Sequence, residues 1–235
     1  MTLAHSDDSG RDLVADYLAG KLALYFVSDN PDPALVGALA AELRGNDLQI
    51  GPTLKTLFLS EAFYSAEHRE TMVRDFYEQA IGLVRTTGMT ESHWIYRRYL
   101  QNMDSMPTQP PSVEGWPEGT HKITAQSNGI EMPNFVNELL TNRNNQEEQG
   151  YDIAAALQPA DANGPEPVID HLAQLLGVVL DETDHSMMID FMNVHISDDG
   201  TETPLNYTPQ NTDHQSRKLR NLLWIMTQHP TFHTK

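Results

Sequence analysis

From Met103 onward helical periodicity fails for about thirty residues, and that stretch organises what lies on either side. Prolines 107, 110, 111 and 117 and glycines 115, 119 and 129 break every period there. A loop of this length in a packed domain is either functional or held down by its own side chains. Its centre reads Pro110-Pro111-Ser112-Val113-Glu114-Gly115-Trp116-Pro117-Glu118-Gly119. Two prolines hold the backbone extended, Gly115 permits a tight bend, and Trp116 offers a large ring whose N–H needs an acceptor once buried. Trp116 is therefore expected to act as a plug between helices, with Pro110, Pro111, Gly115 and Gly119 as the rest of a structural clamp. The competing role is a ligand-stacking face. In that role Trp116, Glu114, Arg97, Arg98 and His121 are the candidate binding residues.

Helical periodicity dominates elsewhere. Asp12 to Val27 places Val14, Leu18, Leu22 and Tyr25 on one stripe. Asp32 is a cap, Pro33 a first-turn residue, Leu35, Val36, Leu39, Ala40 and Leu43 a face, and Gly45 a left-handed stop. Pro52 to Ser60, Ala66 to Thr87 ending at Gly88, and Glu91 to Asn102 complete the first half. Past the loop, Pro133 restarts a helix through Phe135, Val136, Leu139 and Leu140. Further helices are expected at Tyr151 to Leu157, Pro167 to Leu180, Thr183 to His195 and Asp213 to Gln228. Asn193 to Leu205 admits either a hairpin around Asp198-Asp199-Gly200 or an exposed loop. The expected fold is all-α, an irregular multi-helix assembly with one long Pro/Gly/Trp loop over about residues 103–132, and with the stretch near 193–205 open to either a short hairpin or a loop. It forms one helical domain or two subdomains, with 11–142 carrying the loop and 143–235 the acidic helices.

A faint internal echo accompanies this. Leu54, Leu57, Ser60 and Phe63 share their spacing with Leu223, Met226, His229 and Phe232, each set closing a helix that follows a helix and a connecting loop, which would give two helix pairs of similar design.

Length and a hydrophobic content of 39% suffice for a substantial core. No apolar run reaches the roughly 20 residues of a membrane helix. The first ten residues carry no basic region followed by an apolar one, so the chain is expected to be soluble and unprocessed. With no cysteine, disulfides, thiolate metal sites and a cysteine nucleophile are excluded. The net charge of −18 is concentrated: between Asn144 and Ser216 there is no Lys or Arg, while 14 of the 33 acids lie there. Such a surface repels phosphate backbones, so nucleic acid is not an expected partner; cations or basic protein surfaces suit it better, and the plain reading of the charge is solubility or life in a salty medium.

Chemistry is sparsely signalled. His185 and His195 lie ten apart, off one helical face, and Pro230 separates His229 from His233, so neither pair is a metal pair and the last two read as exposed tail histidines. Asp198, Asp199 and Glu202 around Gly200 are the weak alternative for a metal, without the alternating acids of a calcium loop. Ser60 and Ser112 have no nucleophile elbow. Arg74 and Glu78, four apart, are expected to pair on the helix surface. No cofactor is implied.

One resemblance gathers these fragments. Lys21-Leu22 with Phe26-Val27, Leu59-Ser60-Glu61-Ala62-Phe63-Tyr64, the spaced set Arg74, Glu78, Gly82, Arg85 and Gly88, the segment Pro110 to Gly119, Asn134-Phe135 and the closing Pro230-Thr231-Phe232 stand in one order along the chain. In that order they resemble the C-terminal part of the bacterial family catalogued as domain of unknown function 1800. Departures are Asp75-Phe76 where a serine-proline pair is typical, His121 or Lys122 where a tryptophan usually follows the loop, and Glu131 and Pro133 where an arginine is common. The resemblance also implies that the family's first half, with its histidine-rich and asparagine-glutamate-rich motifs, is absent. The chain is then a truncated form, a divergent paralogue or one half of a split protein.

The reading that follows is an uncharacterised helical module that acts as a noncatalytic interaction or structural subunit. Its expected partner is a protein, such as one supplying the family's first half. The alternative is an enzyme or divalent-cation-dependent domain using acids of 144–216. The resemblance leaves export open, and the compartment is undetermined.

Overall fold

A computed structural model describes residues 13–89, 93–116, 128–141, 152–197, 199–211 and 214–235. It divides into two compact units, the first up to Val73 together with Lys235 and the second from Arg74 to Thr234.

In the first unit, helix α1 (Leu13–Phe26) packs on α2 (Pro33–Gly45), and α3 (Ile50–Phe58) follows. Ala15, Ala19 and Ala23 recur every fourth residue and are fully buried, so the helices approach closely over Leu39, Ala40 and Leu43. Asp32 caps α2 by accepting the N–H of Ala34 at 2.9 Å, as the sequence predicts. The stop is placed differently. Gly45 remains helical, and Asp47 (φ 56°) and Leu48 (φ 61°) take the left-handed conformation. A left-handed Leu costs roughly 1–2 kcal/mol. Here its side chain packs against the core, and its N–H bonds Leu43 O at 2.8 Å. Two 3-10 turns, Glu61–Tyr64 and Ala66–His68, finish the unit, and Lys235 exchanges both backbone hydrogen bonds with Met72.

The second unit opens with α4 (Phe76–Thr87), which corrects the continuous helix expected from Ala66. Asp75 accepts the Glu78 N–H, and the Glu78 carboxylate takes the Asp75 N–H, a reciprocal cap that starts a new helix at this point. Gly88 (φ 72°) ends it as predicted. After α5 (His93–Asn102), α6 spans Asn128–Thr141, beginning before the expected restart at Pro133. That proline sits inside the helix, where it removes one hydrogen bond at a cost of about 3 kcal/mol. Burial of Met132, Phe135, Val136, Leu139 and Leu140 offsets it. Phe135 is met by the rings of Phe76, Tyr96 and Tyr99.

Helices α7 (Ile153–Leu157), α8 (Pro165–Leu176) and α9 (Glu182–Met192) follow, then strands β1 (Val194–Ile196) and β2 (Glu202–Pro204). The strands form the hairpin, antiparallel with His195 opposite Thr203. Helix α9 stops at Met192, before the expected His195, with Asn193 as its C-cap and the Lys218 ammonium on one of its last carbonyls. Lys218 lies on a π-helical turn (Gln215–Leu219) that leads into α10 (Arg220–Thr227), and it donates to Phe191 O at 2.6 Å and to Val194 O. The chain closes with a 3-10 turn, Pro230–His233. One apolar core runs from Phe76 to Phe232 through α4, α5, α6, α8 and α10. The mainly helical fold is therefore as the periodicity predicts, and no helix among the described residues is long and apolar enough to cross a membrane.

Candidate functional site

Two places in the second unit concentrate the residues singled out by sequence. The first is the proline-tryptophan loop, described up to Trp116. Gly115 (φ 101°) closes a tight turn in which its N–H bonds Ser112 O at 3.2 Å and the Ser112 hydroxyl accepts the Glu114 N–H at 3.2 Å. Val113 and Glu114 form the tip. Residues 107–114, Pro110 and Pro111 included, are exposed throughout, and Trp116 keeps 45% of its surface exposed. Gly119 and His121 lie outside the described residues. On α5, Arg97 stacks over the exposed Trp94 at 5.9 Å. Arg98 is engaged internally, paired with Glu138 on α6 and lying 4.9 Å over Tyr99. The Tyr99 hydroxyl donates to Glu138 at 2.8 Å, and burial, followed by that bond, pushes its pKa up to about 12.

The second place is the closing turn. Arg74 does not pair with Glu78 as expected. Its guanidinium lies over the Phe232 ring and donates to Phe232 O at 3.2 Å. It also sits 3.6 Å from where a Cβ on Gly177 would stand, at the left-handed end of α8. Gln79 donates to Arg74 O at 2.9 Å and meets His233 Nδ1 at 2.9 Å. His229 Nε2 faces Asp184 Oδ2 at 3.1 Å, while its Nδ1 contacts the Thr231 hydroxyl at 2.8 Å and accepts the Thr231 N–H at 3.3 Å. Both histidines are thus half-buried and bonded rather than exposed tail residues. Burial, with Arg74 and then His229 nearby, holds His233 below its usual pKa. An acid, an imidazole and a hydroxyl stand in series here, but the Thr231 oxygen is also committed to Val179 N at 3.0 Å, which makes the series a strut between α9 and the turn.

Several acids of the 144–216 stretch are engaged locally. Asp181 caps α9, His185 meets Asp170 at 2.9 Å, and Asp199 accepts the Thr201 N–H at 2.9 Å, a bond that lowers its pKa. Glu202 lies on β2 opposite Ile196, and Asp198 lies outside the described residues. Among the described residues, no three acids or histidines converge as a metal site would require.

A family model described as "Protein of unknown function (DUF1800)" matches residues 10–234. The chain belongs to that family. No curated protein and no solved structure matches it. Within this DUF1800 chain the motif residues acquire physical roles. Asp75 is the N-cap of α4, a position that serine would also fill, and Phe76 is the first helical residue, a position that suits proline. Arg74 from the fourth-helix set and Phe232 from the closing motif are one contact. At the echoed positions Leu57 and Met226 are fully buried, and Ser60 and His229 each cap the 3-10 turn that follows.

Sequence reasoning missed Lys218 and the Gln79–His233 bond. Lys218 stands second after the basic-free stretch, directly behind Arg217, and reads as a solvated residue. In the fold it is nearly buried, lies 4.2 Å from the centre of the Phe191 ring, and has its pKa lowered by burial.

Proposed function

We propose that this DUF1800 chain is a noncatalytic interaction module that docks a partner protein through its proline-tryptophan loop. The observation that carries this reading is the Ser112–Gly115 turn, which presents Val113 fully to solvent and Trp116 with nearly half its surface free. An apolar side chain and an indole on a hydrogen-bonded turn lose little conformational entropy when bound, and large aromatics dominate interface energetics. The same exposure supports the presenting role for Trp116 over the plug. Glu114 at the tip and the net charge of −18 favour a partner with an apolar pocket rimmed by Lys or Arg. In support of a noncatalytic role, the imidazoles and acids of the closing turn are spent on internal hydrogen bonds.

The test is size-exclusion chromatography with light scattering on the chain isolated from its native source, alone and as Trp116→Ala. A heteromeric complex that Trp116→Ala abolishes while the unfolding temperature stays within about 2 °C is the expected result. A partnerless monomer would count against it, as would a complex indifferent to Trp116.

A further inference from the structure

The closing turn holds two imidazoles fixed by different partners. His229 Nδ1 accepts the Thr231 N–H, so its proton lies on Nε2, toward Asp184. His233 has the opposite tautomer. Gln79 gives an amide N–H to Arg74 O, which leaves its Oε1 facing His233 Nδ1, and that nitrogen must donate. Backbone joins the same elements, since Arg74 N–H bonds His233 O at 2.9 Å. Through these contacts the turn is fastened to the start of α4 at Arg74 and Gln79, and to α9 at Asp184.

We propose that this turn is an acid-released clasp: a proton taken up by His233 places a second cation beside Arg74 in a half-buried site, and residues 229–234 let go of Arg74 and Gln79. The charged and titratable groups around it favour release from α4. Arg74 leads into α4, with the capping pair Asp75 and Glu78 engaged with each other. His229 lies four residues back on the turn, and Lys235 follows two residues on. On α9, Asp184 faces His229, and the adjacent His185 is bound to Asp170 on α8. The Asp184 carboxylate therefore sits at His229, while the charge that acts most strongly on His233 is the Arg74 guanidinium. A histidine whose folded pKa is depressed contributes stability that is complete above the unfolded value of about 6.5 and is lost as pH falls through the folded value.

The experiment is hydrogen–deuterium exchange of the full chain between about pH 7.5 and about pH 5, the range over which histidine charges, with rates corrected for intrinsic pH dependence. It is paired with an NMR titration of the His233 ring. Protection of 229–234 is expected to fall about tenfold for each unit of depression, with the ring titrating below the free-histidine value. His233→Asn keeps a donor toward Gln79 without a titrating ring, and its protection is expected to be flat with pH. Unchanged wild-type protection overturns the clasp, as does a ring titrating at or above the free value. So does a His233→Asn chain that loses protection as the wild type does. If His233→Asn does not fold, Arg74→Gln serves instead: the His233 midpoint must rise, and an unmoved midpoint overturns the proposal.

Discussion

The Arg74 guanidinium lies 6.0 Å from the centroid of the Phe232 ring and donates to the Phe232 carbonyl oxygen at 3.2 Å. These residues stand 158 positions apart, at the start of the second unit's first helix and at the chain's last turn. Arg74→Ala removes a charge-assisted bond and a stacked cation together, and is expected to destabilise the chain by about 1–3 kcal/mol in thermal or urea unfolding. Arg74→Lys should recover only part, because an ammonium lacks the planar fork and stacks less well.

Asp75 supports a second prediction, on the helix beside it. Asp75→Ala removes the cap that starts α4 and is expected to cost about 1 kcal/mol by urea unfolding. Asp75→Ser should stay within a few tenths of wild type, since serine caps nearly as well. If both variants lose equally, capping is not what Asp75 contributes.

Two glycines should respond in opposite directions. Gly82 lies within α4 with open space around the position of a Cβ, so Gly82→Ala is expected to stabilise by roughly 0.5–1 kcal/mol. Gly177 is left-handed at φ +68°, with Arg74 beside it, so Gly177→Ala is expected to cost about 1 kcal/mol or more. Differential scanning calorimetry of the pair reads both signs.

Removing the Lys218 ammonium leaves the carbonyls of Phe191 and Val194 without their donor. Lys218→Met keeps the stem and is expected to cost about 1–3 kcal/mol. Hydrogen exchange should accelerate first in the β1–β2 hairpin, which this lysine joins to the π-turn.

What the sequence made legible was local. Asp32 with Pro33, and Gly88, each write their geometry within a few residues and are found where expected, while the stretch around Gly200 takes the hairpin, one of its two readings. Pro133 misled because a proline usually opens a helix, whereas here buried Met132 and Phe135 on either side carry the helix through it. The stretch before Asp75 misled because its periodicity is helical, while the reciprocal cap of Asp75 and Glu78 needs a fresh start. Arg74 and Glu78 are spaced for a pair, yet the partner that wins Arg74 is remote in sequence, and nothing local points to it. Lys218 is a surface residue by composition alone. Of the loop, spacing foretold the bend at Gly115, whereas the expectation of Trp116 as a plug rested on ring size alone, and which way a ring turns depends on which surfaces the helices leave open.

The interaction reading meets its most direct test at Val113, the exposed tip of the turn. A photo-crosslinking amino acid placed there in the native host should yield one covalent adduct of defined mass to a protein rich in Lys and Arg at the crosslinked site. Trp116→Ala should abolish the adduct, and the same group at exposed Asn206 should not form it. Absence of any adduct at 113, or one formed equally from 206, would contradict the assignment of this loop as the docking surface.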